Sequence, residues 1–432
     1  MANTRIGRTV SVAGSRQKAT FSAWIKRTGL GESWIAKFGG NYSQGNYMQI
    51  GFDDTDGCFI IGDTPSSTPR MQSTRKFRDT NAWYNYVVAF DTTQNTASDR
   101  LKFYINGELI TAYGTATYPT LNQNLNFNMT GSYNNAWLGG RGESTYEFNG
   151  LMSHVNWIDG TAYDASAFGS TDSVTGEWKI NTAPSVTYGT NGYFMLKDGN
   201  SLTDASGKGN NFTLLTGTLT DTKDNPSNVL NVLNPLSAPG SSLTFGKGNT
   251  EINFDASSTW HAVYSTIGAT SGKYYAECLI DAVGGETSIG IIPTDTVNNV
   301  QLTGAGDYMG KEANSIGYVN NGQLYKTNSV QETTSTYTTA DIISFTFDLD
   351  NNTIQFYKNN SSAGSAISLP SNTTYMIGSS GYNGSRQRWN FGNGYFGTST
   401  VSSAGTNASG NGIFEYNVPT GYTALSTKGL NL

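Results

Sequence analysis

The stretch Asp341–Asn359, DIISFTFDLDNNTIQFYKN, decides the fold class of this chain. Two runs rich in β-branched and aromatic residues flank Asn351-Asn352, and asparagine tolerates the positive φ of a tight primed turn, so a β-hairpin is expected. With Asn351 and Asn352 as a two-residue loop, Asp350 faces Thr353, Leu349 faces Ile354, Asp348 faces Gln355, Phe347 faces Phe356 and Thr346 faces Tyr357. Apolar then meets apolar, and one face lies on a core. The pattern recurs in YVVAFD at Tyr86–Asp91 and LKFYING at Leu101–Gly107. There Val88 and Phe90 share one face, as do Leu101, Phe103 and Ile105. The chain is therefore expected to be all-β, with two antiparallel β-sandwiches in tandem.

At 432 residues there is length for two or three domains. Charged residues make up only 13%, against about 25% in ordinary domains, while aromatics reach 12% and glycines number 51. The surface must then be built from Asn, Thr, Ser, Gly and Tyr. Such a surface suits neutral, hydrogen-bonding partners such as glycans, or packing in an assembly, and it equally suits a plain turn-rich β domain. A net charge of -6 with scattered Lys and Arg argues against nucleic acid. No run is long enough to span a bilayer, and MANTRIGRTVSVAGSRQ contains no apolar h-region, so neither membrane insertion nor export is expected. Cys58 and Cys278 fall in strand-like runs of different domains and are expected to be buried free thiols. A binding-type composition without an export signal fits a protein released by lysis, as in a virus particle.

In chain order, FSAWIKRT at Phe21–Thr28 is a strand with Phe21 and Ala23 opposite Ser22, Trp24 and Lys26. WIAKFGG, YMQIGF and CFIIGD follow, the last two separated by the acidic turn DDTDG. Asp53, Asp54 and Asp56 have the spacing of calcium ligands, but the distal glutamate is missing and a plain turn is the simpler account. The order FSAWIKR, WYNYVVAFD, LKFYINGELI, AWLGGR, FNGLMSHVNWIDG resembles the laminin-G-like, concanavalin-A-like jelly roll across roughly residues 1–165. DGTAYDASAFGSTDSVTGEW, YGTNGYFMLKD, DASGKGNNFT and TDTKDNPSNV, between Asp159 and Val229, are similar to segments that join such a jelly roll to a following domain in structural proteins of tailed bacteriophages, marine and cyanobacterial ones in particular.

Residues 166–240 are accordingly expected to be junction and linker, with Asn225–Gly240, carrying Pro226, Pro235 and Pro239, as the linker proper. Residues 241–432 resemble a SPRY domain. The resemblance rests on SGKYYAE from Ser271, the hairpin Asp341–Asn359, WNFGNGYF at Trp389–Phe396 and VPTGYTALSTKGL at Val418–Leu430. One departure is the polar insert Gly397–Gly412, expected to be a flexible loop.

No catalytic constellation stands out, and no enzymatic activity is expected. Glu277 and Asp281 share a strand face, but no third acid continues the set that a glycosidase of this fold would carry. His154 and His261 fall one per domain without a nucleophile motif, and the glycines, expected to end strands, form no phosphate loop. No cofactor and no metal site are expected. The resemblances imply recognition through loops on one rim or over a concave sheet face. Candidates are Tyr42, Asn46, Tyr133 and Trp137 in the first domain, and Trp260, Tyr308, Tyr325, Tyr382 and Arg386 in the second. Their rings suit stacking on sugars and their amide or guanidinium groups suit sugar hydroxyls, although each ring is equally suited to packing at an edge.

The phage resemblance implies a homo-oligomeric or multicopy virion structural protein, assembled in the host cytoplasm with other virion proteins. It would be a tail fibre or surface appendage contacting host-surface glycan or protein. A capsid-surface fibre or decoration protein, a cellular carbohydrate-binding adhesion module and a glycosidase remain as alternatives. Since the jelly roll starts close to Met1, attachment is expected through the sandwiches or the arm Ala2–Gln17.

Overall fold

Strands Ile342–Asp348 and Thr353–Lys358 do pair as an antiparallel hairpin, but Asp348 stands opposite Thr353, Phe347 opposite Ile354, Thr346 opposite Gln355 and Phe345 opposite Phe356. The register thus lies two residues from the expected one, and the loop holds Leu349–Asn352. Its cause is the Asp348 carboxylate. Oδ1 accepts from the amides of Asp350 at 3.1 Å and Asn351 at 2.8 Å, while Oδ2 accepts from Asn351 Nδ2 at 2.8 Å. This Asx turn closes the chain early. Two residues make one full strand period, so the same face still meets the core, and Phe345, Phe347, Ile354 and Phe356 are buried.

Burial alone would raise the Asp348 pKa, but the Asn351 bonds and Lys273 Nζ at 3.0 Å outweigh it and hold it below the ordinary carboxylate value. Asp348→Ala is expected to cost about 1–2 kcal/mol at neutral pH. That difference should shrink as pH falls through the lowered pKa, which urea unfolding at pH 7 and pH 3 would check.

The structure is a computed structural model that describes residues 4–41, 43, 45–53, 57–64, 70–142, 146–237, 243–254, 258–299 and 307–432. The chain forms two units, Met1–Asp221 and Thr222–Leu432. In the first, an eight-stranded antiparallel sheet runs in the order Tyr113–Thr117, Arg70–Lys76, Cys58–Thr64, Tyr47–Phe52, Ser33–Gly39, Asn135–Leu138, Arg5–Thr9, Thr213–Thr216. It faces a six-stranded sheet ordered Tyr193–Met195, Gly150–Asp159, Lys18–Arg27, Trp83–Asp91, Leu101–Ile105, Glu108–Leu109. The inner faces share one core, where Phe38 stacks on Trp157 with centroids 4.2 Å apart and Phe59 stacks on Phe103 at 4.3 Å. The expected antiparallel pair is present, with Val88 opposite Phe103 and Phe90 opposite Leu101. A second cluster of Ile158, Phe168, Tyr188 and Phe194 buries Val87 on the opposite face.

The boundary between units falls inside the stretch expected to be junction and linker. Tyr193–Met195 pairs with Gly150–Asp159, and Thr213–Thr216 pairs with Arg5–Thr9, so both complete the first unit's sheets. Leu230, Val232 and Leu233 are buried in the second unit, since the apolar run VLNVL outweighs the flanking prolines. The N-terminal arm is not free over Arg5–Thr9, which lies hydrogen-bonded between two strands.

The second unit pairs a sheet ordered Thr244–Gly246, Glu251–Asn253, Arg386–Asn390, Lys273–Ala282, Ile342–Asp348, Thr353–Lys358, Ser361–Ser368 with a six-stranded one. The latter is ordered His261–Ala269, Tyr375–Gly381, Thr287–Pro293, Ile316–Val319, Gln323–Lys326, Ser329–Thr333. Thr423–Ala424 adds a short parallel pairing to Lys273–Ala282. Cys58 and Cys278 are both buried and are not joined in a disulfide. The insert Gly397–Gly412 is largely exposed, as expected of a loop, but hydrogen bonds tie it down. Thr406 N and Oγ1 both donate to Asn417 Oδ1, Asn407 Nδ2 donates to the carbonyls of Asn411 and Gly412, and Asn411 Nδ2 donates to Thr423 and Ala424. No helix among the described residues is long and apolar enough to cross a membrane.

Candidate functional site

Three strands of the six-stranded sheet carry a glycine in mid-run, SIGII, IGYV and MIGSS, contrary to the expectation that glycines end strands. Gly290 pairs with both Gly317 and Gly378, so the three sit side by side on the face away from the core. Ser288 and Ser380 continue the small-residue strip. Without side chains there, the backbone of Asp307–Gly310 can lie directly on the sheet. Met309 N donates to Ser380 Oγ at 3.0 Å, and Ser288 Oγ donates to the Met309 carbonyl at 3.0 Å. The Met309 side chain enters a small apolar cluster with Ala262, Ile292 and Met376.

This clamp fixes Tyr308, whose ring meets Trp260 with centroids 5.1 Å apart and Tyr325 at 5.5 Å. Trp260 in turn meets Tyr382 edge-on at 5.0 Å. Four of the five residues singled out in the second unit thus form one continuous, half-buried aromatic ridge. Such pairs each add about 0.5–1.5 kcal/mol beyond their buried area. Tyr308 Oη donates to Asn328 Oδ1 at 3.0 Å and Tyr325 Oη to Gln323 Oε1 at 2.7 Å. Asn328 is itself set by a two-residue primed turn in which Thr327 and Asn328 take φ of 51° and 59°. Tyr382 packs over Gly285, where a Cβ would stand 2.3 Å from the ring. Burial first, then the neighbouring Tyr325 and Glu286, raise the Tyr308 hydroxyl above its ordinary pKa.

Arg386 is not brought to the ridge. Its guanidinium pairs with Asp281, which also receives Arg388 Nη2 at 3.2 Å. Glu277 is fully buried and accepts from Tyr275 Oη, Asn390 Nδ2 and the amides of Glu415 and Tyr416. Its oxygens are committed to holding the chain.

In the first unit Tyr42 lies outside the described residues. Asn46, with φ of 50°, accepts from the Gly40 amide at 3.0 Å, and Tyr133 packs against Gly40. Trp137 pairs with Lys37 across the sheet, opposite in direction to the core residues Phe38 and Leu138. Lys37 Nζ lies 4.6 Å from the Trp137 ring and 4.8 Å from that of Tyr47, and Arg5 covers Trp137 at 4.9 Å. These rings are engaged by the protein's own cations. Asp54 and Asp56 lie outside the described residues, while Asp53 Oδ2 accepts from Gln72 Nε2 at 2.9 Å. No three His, Cys, Asp or Glu side chains group as a metal site among the described residues. His154, at φ of 50° in a strand irregularity, shares a 2.7 Å bond with Ser153, and burial lowers its pKa to about 4.

Two sandwiches of this construction, one presenting an aromatic ridge, fit a binding or adhesion module. Residues 7–167 match the Concanavalin A-like lectin/glucanases superfamily and residues 273–394 match the SPRY domain, so the chain carries a concanavalin A-like domain followed by a SPRY domain. No curated protein matches it. Among solved structures it is similar to the SPRY domain of human HERC1, with 19% identity over 36% of this chain and 96% of that one at a TM-score of 0.29. It is also similar to the TRIM65 PSpry domain, with 12% identity over 37% and 89% at 0.31. Stonustoxin gives 15% identity over 37% and 27% at 0.30.

Proposed function

We propose that this chain is a non-enzymatic adhesion protein of a bacteriophage particle, a tail fibre or other surface appendage, and that Trp260, Tyr308, Tyr325 and Tyr382 bind a host-surface glycan. The observation that carries the binding part is the assembly of these rings, distant in sequence, into one half-buried ridge beside Asn328 and Gln323. Rings offer apolar faces to the C–H side of a sugar, and the adjacent amides match its hydroxyls. The particle assignment is supported by the likeness of the segments between Asp159 and Val229 to phage structural proteins. The commitment of Glu277 to four donors supports a non-catalytic role.

Trp260→Ala is expected to weaken binding to host-surface polysaccharide about tenfold or more in calorimetric titration, with the fold intact by circular dichroism. Unchanged affinity would overturn the glycan assignment. Peptides of this chain should be abundant in purified particles by mass spectrometry, and their absence would overturn the particle assignment.

A further inference from the structure

We propose that the ridge accepts glycans lacking acid groups and turns away uronate- or sialate-bearing ones, because Glu286 places an uncompensated negative charge beside it. This rests on the glycan-binding reading above. Glu286 directly follows Gly285, the residue under the Tyr382 ring, and Asn321 Nδ2, which donates to it, also donates at 3.2 Å to Gln323 Oε1, the acceptor of the Tyr325 hydroxyl, so the carboxylate is tied to both ends of the ridge. Its Oε1 accepts from Asn321 Nδ2 at 3.2 Å, a neutral donor that leaves the charge in place.

The sequence keeps cations away from the strands that carry the rings. No Lys or Arg occurs in 248–272, which holds Trp260, in 274–310, which holds Tyr308 and Glu286, or in 359–385, which holds Tyr382. The cations on adjoining segments are paired with acids or turned from the rings. Lys311 Nζ binds Asp307 at 2.9 Å, with Glu312 close by as a further acid, and Lys326 stands on the opposite strand face from Tyr325, across from the core residue Ile316, where its Nζ donates to the Ser368 carbonyl at 2.8 Å. Arg386 is held by Asp281. An anionic sugar stacked on the ridge would therefore meet like charge with no Lys or Arg among the described residues placed to offset it, whereas a neutral sugar would find the rings and amides alone.

The test reads the field with ions, so it does not depend on knowing the ligand. Tryptophan fluorescence of the full chain and of Trp260→Phe is quenched with caesium and with iodide at constant ionic strength, and the difference isolates Trp260. Caesium should quench Trp260 about threefold more effectively than iodide after correction for their intrinsic efficiencies, and Glu286→Gln should bring the ratio towards one. Equal quenching, or no change with Glu286→Gln, overturns the proposal. In parallel, an array of neutral, uronate-bearing and sialylated oligosaccharides is probed with the chain and with Trp260→Ala. Trp260-dependent signals confined to neutral or amino sugars support the proposal. Trp260-dependent signals on acidic sugars overturn it while leaving glycan binding standing. Signals that ignore Trp260→Ala remove the glycan-binding reading itself.

Discussion

Gly317→Ala is expected to empty the aromatic ridge of function without altering any of its rings. A Cβ at this position would stand 1.9 Å from the Met309 carbonyl oxygen, 2.3 Å from its carbon and 2.7 Å from Ser288 Oγ. The first two are backbone atoms and cannot rotate aside, so Asp307–Gly310 must lift from the sheet. Lifting breaks the bonds of Met309 with Ser288 and Ser380 and withdraws its side chain from Ala262, Ile292 and Met376. Overpacking costs about 1–3 kcal/mol and loss of a buried methionine about as much again, so a total of about 2–6 kcal/mol is expected. Tyr308 then leaves Trp260 and Tyr325, and binding should fall about as far as with Trp260→Ala. Gly378→Ala is the control, because there the nearest atom is Met309 Sδ, the far part of a flexible side chain. It should cost less and keep more affinity. Urea unfolding and titration of both variants decide the matter; a folded Gly317→Ala that binds normally would show that the Met309 clamp does not position the site.

The parts of the fold that follow from side-chain alternation were legible, and those that depend on which partner wins were not. Alternation cannot distinguish registers two residues apart, so the hairpin at Asp341–Asn359 needed the turn chemistry of Asp348 to place it. The prolines around Asn225–Gly240 suggested a linker, but Leu230, Val232 and Leu233 bury more apolar surface than prolines can keep extended in water. The ridge residues could be picked as aromatics among polar turns, yet nothing local says that Trp260, Tyr308 and Tyr382 converge. The available signal was the recurrence of Ile-Gly in phase in three strands, which marks a strip where backbone approaches a sheet closely. The Arg386 guanidinium suits sugar hydroxyls by its chemistry, but Asp281 competes for it across the neighbouring strand.

The folded insert and C-terminal segment should depend on the ionisation of Glu277. The carboxylate is fully buried, and it accepts from Tyr275 Oη at 3.0 Å, the Tyr416 amide at 2.9 Å, Asn390 Nδ2 at 3.1 Å and the Glu415 amide at 2.8 Å. These bonds hold the chain where Phe414, Val418 and Ala424 pack on Tyr275 and Leu230. Burial pushes the pKa up and the four donors pull it down, with a balance at about 7 against an ordinary 4.5. A folded value above the unfolded one means that this group's stabilisation is complete below pH 4.5 and is lost as pH rises to about 7, with no further change beyond. The size is on the order of 3 kcal/mol. Wild-type protein should therefore weaken between pH 5 and pH 8 in urea unfolding, and Glu277→Gln, the shape of the protonated acid, should flatten that slope. Glu277→Ala removes every acceptor and is expected to cost about 3–5 kcal/mol, exposing the stretch after Gly397 to limited proteolysis while the first unit stays resistant. Parallel pH curves for wild type and Glu277→Gln would show that this carboxyl does not titrate in that range. Undiminished protection in Glu277→Ala would show that apolar packing of Phe414 and Val418 alone holds the segment in place.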